Sequence, residues 1–299
     1  MMSQRPMHAS MWYIMLLYLI WMRMIKTVDM YTVHTHKLPK LIHQTWKTLN
    51  VPIVVQRHVN SWKRLNPEYE YRLWTDDEID VYMIHRHPEL TRAWTIMNHI
   101  EKADTFRYAI LFDQGGIYAD VDVTCVKSIK QWSKGIDNVE LYIGFEVMTE
   151  RHDWKDWFAR KYQICQWTMG GVPGHPVFKL VLKKIVQFFA EFNSEQRERM
   201  GVMESTGPGI WTDAVMEHLR ETHNIVFDIT SERDINRIKR ISESRTRKVY
   251  HQIGTILLLP VAAFASTENE YINRRGRDMS EIYIVHHFLG SWKSNYIGH

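Results

Sequence analysis

Apolar and polar residues change their period several times along this chain, and each change marks an element. In "LPKLIHQTW" (residues 38–46) the apolar pair Leu41 and Ile42 follows Pro39 and runs into polar residues, which predicts a short strand. "VNSWKRLNPEYEYRLWTDDEID" (59–80) reads as a helix, a turn at Asn66-Pro67, a strand over 69–74 and a second helix whose first turn suits Asp76 and Asp77. Over 91–113 the apolar residues Ile96, Ile100, Ala103, Phe106 and Ile110 recur at helical spacing, and Gly115-Gly116 ends that helix. The period then drops to two. Ile117, Ala119, Val121 and Val123 alternate with Tyr118, Asp120, Asp122 and Thr124, which predicts one strand. Further strands are predicted at 140–145, 224–228 and 282–287, and helices at 176–193 and 210–221. Helices interleaved with strands predict an α/β domain. No repeat or long linker interrupts it, so one domain is expected over 38–299.

The N-terminal pattern differs. "MWYIMLLYLIWM" (11–22) holds no charge. As a helix it spans only ~18 Å, against ~30 Å for a hydrocarbon core. Extension from Ala9 to Ile25, with Arg23 reaching the interface, brings it to ~25 Å. Trp12, Tyr13 and Trp21 suit the interface, and no small-x-small cleavage site follows. The pattern predicts a tail over 1–8, an uncleaved signal anchor over 9–26 and a short linker over 27–37. A hydrophobic N-terminal helix packed on the domain is the competing reading. Arg5 lies before the run and Lys26 after it, so charge leaves the membrane orientation open.

Composition narrows the class. With 45% apolar and 24% charged residues among 299, the chain can bury a sizeable core and is not disordered. A net charge of +4 without a dense basic run gives no case for nucleic acid. The two cysteines, Cys125 and Cys165, form no CxxC and cannot build a metal cage. Cys125 ends a buried-looking strand, which favours two unpaired thiols.

Candidate chemistry centres on "GGIYADVDVTC" (115–125). On a continuous strand Asp120 and Asp122 face the same way, ~6.5–7 Å apart. Two hard oxygen donors at a strand end suit Mg2+ or Mn2+ shared with phosphate oxygens. The motif also fits the nucleophile of a haloacid-dehalogenase-like phosphatase, with Asp120 phosphorylated. That chemistry needs a downstream acidic pair on a Gly-Asp turn, and no Gly-Asp dipeptide follows residue 124. In the preceding helix Asp104, Arg107 and Tyr108 stand at i, i+3 and i+4 on one flank. Taken alone, that spacing describes a local surface salt bridge.

Six segments then carry a resemblance: "LPKLIHQTWKT", "NPEYEYRLWTDDE", "ADTFRYAILFDQGGIYADVDVTC", "QWTMGGVPGHPVF", "TGPGIWTDAV" and "HHFLGSWK", in this order. Together they resemble glycosyltransferase family 32, and the last three are most similar to the initiation-specific α-1,6-mannosyltransferases. The resemblance covers nearly all of 38–299. It implies a GT-A nucleotide-sugar transferase fold, a single Rossmann-like domain with a mixed central sheet, preceded here by the hydrophobic helix. It implies Mn2+ or Mg2+ as cofactor, a nucleotide-sugar donor such as GDP-mannose, and transfer with retention to a glycan or to a glycolipid such as inositol-phosphoceramide.

The resemblance also implies roles. Trp46 would stack on the base. Asp104 would bind the donor sugar and Arg107 the diphosphate, with Tyr108 beside them. Asp120 and Asp122 would hold the metal. Of the two adjacent histidines, the His-Phe-x-Gly spacing selects His287 as the third ligand, and Trp292 and Lys293 would meet the diphosphate. The Gly-Pro-Gly loop before 210 offers backbone N–H groups, Asp213 is either a hydroxyl ligand or a helix N-terminal charge, and His175 has no role. Also implied are a Golgi or ER membrane protein with a lumenal catalytic domain, and a hetero-complex with other mannosyltransferases. A tethered sugar-binding protein without turnover is the remaining alternative.

Overall fold

The structure is a computed structural model and describes residues 37–133, 136–223, 251–273 and 279–290. The expected anchor at 9–26 and the expected strand at 224–228 lie outside the described residues. The chain opens with β1 (Leu41–Trp46), α1 (Ile53–Leu65), β2 (Glu70–Thr75) and α2 (Asp76–Arg86). Then come α3 (His99–Gln114), β3 (Gly116–Ala119) and β4 (Val123–Cys125). β5 (Leu141–Met148), β6 (Tyr162–Ile164) and β7 (Thr168–Gly171) follow, then α4 (Pro176–Glu191) and α5 (Pro208–His223). The last elements are β8 (His251–Ile253), β9 (Ile256–Leu259) and β10 (Ile284–His286).

The central sheet runs β2-β1-β3-β7-β5-β9-β8, with β6 added on β5. β1 pairs parallel with β2 and β3, and β5 parallel with β9, whereas β7 is antiparallel to both β3 and β5. The fold is therefore α/β with a mixed central sheet, as the interleaved pattern predicts. β4 leaves that sheet and pairs antiparallel with β10.

Both faces of the sheet are buried, so its strands carry apolar residues on both sides. Leu141, Ile143 and Phe145 of β5 join Phe106, Ile110, Phe178 and Trp211 on one side. Tyr142 faces the other way, with Ile117, Trp62, Trp132 and Phe264. Each such side chain contributes about 1.5–3 kcal/mol by leaving water.

Two expected elements are corrected. The helix over 91–113 is broken, because Asn98 starts a new helix. Its side chain accepts from Ile100 N and Glu101 N, and Glu101 Oε2 accepts from Asn98 N at 3.0 Å. This capping box leaves Ile96 exposed and outside α3. The strand over 117–124 is also broken. Asp120 N donates to Trp167 O and ends the β3–β7 pairing, and Val123 N then donates back to Asp120 O at 3.1 Å. Asp120 and Asp122 therefore lie on a turn between two sheets and not on one face of a single strand.

The link between α3 and β3 depends on glycine. Gly115 has φ +65° and a Cβ there would stand 2.7 Å from Gly171 O; Gly116 has φ +96° and its Cβ would meet Leu41 O at 2.6 Å. Only glycine fits both the conformation and the approach. The helix can thus turn straight into β3 and bring Asp120 back beside Arg107.

Candidate functional site

α3 is buried on nearly every side, including its polar residues Asp104 and Arg107. A buried ion pair needs every charge satisfied. Arg107 Nη2 reaches Asp104 Oδ1 at 2.9 Å and Asp120 Oδ1 at 3.2 Å. Thr206 Oγ1 donates to Asp104 Oδ2 at 3.1 Å, and Tyr118 OH donates to Asp120 Oδ1 at 2.9 Å. Gln44 Nε2 donates to the Asp120 carbonyl at 2.9 Å. What the sequence alone reads as a surface salt bridge is thus a buried, doubly paired guanidinium, and its Nε still has no partner.

Charge follows from this packing. Burial pushes the Asp104 carboxyl up to about 6, although Arg107 draws it down. Burial likewise raises Asp120, against the pull of Arg107. Burial would raise Asp122 too, but the hydrogen bond from His286 and the Leu289 amide outweigh it and hold Asp122 below the usual carboxylate range. The Arg107 guanidinium keeps its proton, because Asp120 and Asp104 overcome its desolvation.

Asp122 is held by the C-terminal ribbon. His286 Nε2 lies 3.3 Å from Asp122 Oδ1, Leu289 N donates to Asp122 Oδ2 at 3.1 Å, and His287 N donates to the Asp122 carbonyl at 3.0 Å. Asp120, Asp122 and His286 each offer one ligand atom, all within 4.8 Å of one another. Two carboxylates and an imidazole at this spacing fit a hexacoordinate divalent ion with bonds of ~2.1 Å.

The expectation for His287 is corrected by this geometry. Its Nε2 is engaged by Thr124 Oγ1 at 2.8 Å and its Nδ1 by Glu268 Oε2 at 3.1 Å, and its ring packs on His58 with centroids 4.0 Å apart. Neighbours on a strand point to opposite faces, so His286 turns to the aspartates and His287 away from them. His287 reaches Asp122 through its backbone alone.

Trp46, at the end of β1, lines one cleft with Asp104, Arg107, Tyr118, Asp120 and Asp122. Its side chain is half-buried, packed on Val55, Val59 and Val121 and standing at the cleft wall. Tyr108 is corrected in the other direction. Its ring stacks on Trp211 at 5.3 Å, its hydroxyl is spent on Gln166 Oε1 and Thr206 O, and it belongs to the core. Trp292 and Lys293 lie outside the described residues. Asp213 pairs with Arg160, which also holds Glu204. The Gly-Pro-Gly segment forms the start of α5 and touches the cluster through the Thr206 side chain, just before it. His175 caps α4 by accepting from Val177 N. Cys125 and Cys165 are both free and buried.

Sequence reasoning missed Thr206 and Tyr118, and set His286 aside in favour of its neighbour. A hydroxyl beside a buried acid has no periodic signature, whereas the alternation along 282–287 already separates the two histidines onto opposite faces.

Known proteins resemble this chain over the same residues. The profile described as "Glycosyltransferase sugar-binding region containing DXD motif" matches residues 52–137, which include Asp104, Arg107, Asp120 and Asp122. The initiation-specific alpha-1,6-mannosyltransferase of Schizosaccharomyces pombe is 30% identical over 86% of this chain and 64% of its own length. The protein of the same name from Candida albicans is 30% identical over 86% of this chain and 72% of its own. Inositol phosphoceramide mannosyltransferase 3 of S. pombe is 32% identical over 60% of this chain and 45% of its own. The chain thus spans 64% and 72% of the first two relatives' own lengths. It belongs to the DXD-motif glycosyltransferase family, together with these mannosyltransferases.

Proposed function

We propose that this protein is a metal-dependent, retaining hexosyltransferase of GT-A type that moves mannose from GDP-mannose to a glycan acceptor. What carries the reading is the convergence of Asp104, Arg107, Asp120 and Asp122 in one cleft with Trp46 at its side. Asp120, Asp122 and His286 would hold Mn2+ or Mg2+. A divalent ion in such a site neutralises a departing diphosphate.

The protein's own groups do the rest. Trp46 offers a ring face to the nucleoside base. Asp104, kept in place by Arg107 and Thr206, accepts hydrogen bonds from donor-sugar hydroxyls. The buried Arg107 adds fixed positive charge where the diphosphate lies, and charge fixed before the reaction needs no reorganisation during it. Trp292 and Lys293 would add contacts to the same diphosphate. Retention calls for no general base on the far face of the sugar, so the leaving phosphate itself can accept the acceptor's proton.

The inositol phosphoceramide relative favours a second acceptor, a glycolipid headgroup, at the same site. Residues 9–26 would anchor the protein in a Golgi or ER membrane with 38–299 as the lumenal catalytic domain, alone or in complex with other mannosyltransferases. Among the described residues no helix is long and apolar enough to cross a membrane.

The test is GDP-mannose turnover against Mn2+ concentration in wild type and Asp122→Asn. Activity that needs metal, and is lost in the folded variant, supports the reading. Full activity in EDTA refutes it, and GDP-mannose left intact at saturating Mn2+ points to a binding protein.

A further inference from the structure

Among the described residues, three buried side-chain polar atoms on strands have no direct hydrogen-bond partner: Glu146 Oε2 on β5, Gln163 Nε2 on β6 and His286 Nδ1 on β10. Such atoms are rare in folded proteins, and each costs about 1–3 kcal/mol when nothing satisfies it. The backbone puts the carboxyl there by a specific device. The β5–β6 register shifts between Phe145 and Val147, so Glu146 is the extra residue of a β-bulge. A bulge bends its strand and re-aims one side chain. Here the bulged side chain is an acid with a buried Oε2; Gln163, across the β5–β6 pairing, and His286, beyond ion-pair distance, are the polar groups that act on it.

Gln163 is already oriented. Its Oε1 accepts from Ala159 N at 2.9 Å and Arg160 N at 3.1 Å. Its Nε2 is therefore left to serve Glu146. His286 is sandwiched, with ring centroids 4.5 Å from Trp167 and 3.9 Å from Phe288. Those contacts hold the plane of the imidazole. They do not decide which nitrogen carries the proton. For Nε2 to present a lone pair beside Asp122, the proton must sit on Nδ1, and that buried N–H needs an acceptor.

We propose that Glu146 is the positioning residue of His286, accepting its Nδ1–H through one water shared with Gln163 and so freeing Nε2, otherwise a donor to Asp122, to serve as a ligand. The carboxyl can accept this hydrogen bond whether or not it is itself protonated. A water between these three buried polar atoms would have the hydrogen bonds it requires. This role rests on the metal site of the preceding reading.

The experiment titrates the full-length protein with Mn2+ by electron paramagnetic resonance. GDP affinity in EDTA and the melting temperature are measured in parallel, for wild type, Glu146→Leu and Glu146→Gln. Loss of an outer partner of a metal-binding histidine typically weakens metal affinity 10–100-fold. The expected result is a loss of that size in Glu146→Leu, with GDP affinity within two-fold of wild type. Its melting temperature should fall modestly, because His286 Nδ1–H and Gln163 Nε2–H lose their acceptor. Glu146→Gln keeps an acceptor oxygen and should recover most of the affinity. Glu146→Ala takes the place of the leucine variant if that one does not fold. Wild-type Mn2+ affinity in the folded apolar variant overturns the proposal. So does a parallel loss of Mn2+ affinity, GDP affinity and stability in both Leu and Gln variants, since that is the mark of a structural carboxyl. Absence of Mn2+ binding by wild type would instead remove the metal site itself, and the same titration shows which has failed.

Discussion

Arg107 Nη2 stands 3.2 Å from Asp120 Oδ1, thirteen residues away on the far side of the Gly115–Gly116 turn. The same nitrogen holds Asp104 at 2.9 Å. One guanidinium thus joins the helix to the turn that carries both acids of the motif. Removing it leaves two carboxylates, Asp104 and Asp120, facing each other without the cation that joins them. Arg107→Met should cost about 3–5 kcal/mol, the usual loss when a buried pair is broken from one side. Adding Asp104→Leu should recover part of that stability without restoring turnover. Urea unfolding of the single and double variants checks both points; a loss under 1 kcal/mol in Arg107→Met would mean the pair is not truly buried.

The two adjacent histidines should separate cleanly. His286→Ala removes the imidazole beside Asp122 and should weaken Mn2+ binding at least ten-fold, with partial recovery of turnover at high Mn2+. His287→Ala breaks contacts to Thr124 and Glu268 and should lower the melting temperature with Mn2+ affinity changed only a few-fold. A metal titration of both variants decides, and the reverse order would return the ligand role to His287.

Trp46→Ala should raise the KM for the donor more than it lowers kcat, since a base stacks equally well in the ground and transition states. A stacked aromatic is worth ~1–3 kcal/mol, so a KM increase of ten-fold or more is expected. Steady-state kinetics with GDP-mannose is the measurement, and an unchanged KM in a folded variant takes Trp46 out of the site.

Asp104 makes stability depend on pH in an unusual sense for an acid. Its carboxyl is raised from 3.8 to about 6, so between those values the folded protein binds more protons than the unfolded chain. The contribution to stability is present in full below 3.8 and is lost as pH rises through about 6. The shift corresponds to roughly 3 kcal/mol. Asp104→Asn lacks this dependence. The stability of wild type relative to that variant should therefore shrink from pH 4 to pH 7, measured by urea unfolding at each pH. A gap that widens with pH would show that Arg107 dominates and holds Asp104 ionised.

Much of this was legible in the chain. Interleaved periods gave the α/β class, and β1, β2, α4, α5 and β10 fall close to their expected places, because strong apolar patterns follow burial. Asp104, Arg107, Asp120 and Asp122 were all singled out, and with Trp46 they meet in one cleft. What failed depends on contacts that a local pattern does not carry. The alternation through Val121 predicts a straight strand, but Trp167 and Gln44 capture Asp120 and bend the chain there. Tyr108 shares a helical flank with Asp104, yet Trp211 and Thr206 draw it into the core. His287 was chosen on motif spacing, whereas the pairing of β10 with β4 determines which histidine turns toward Asp122.

That pairing also sets an order on how the site can come into being. Leu289 closes on Asp122 across 167 residues of sequence. A ribosome that stalls before the codon for His286 releases a polypeptide holding the motif acids, the buried guanidinium and most of the sheet, yet lacking the third donor and the amide that fastens Asp122. Nascent chains and products truncated there would therefore lack the complete proposed site, which can form only after translation has passed Leu289.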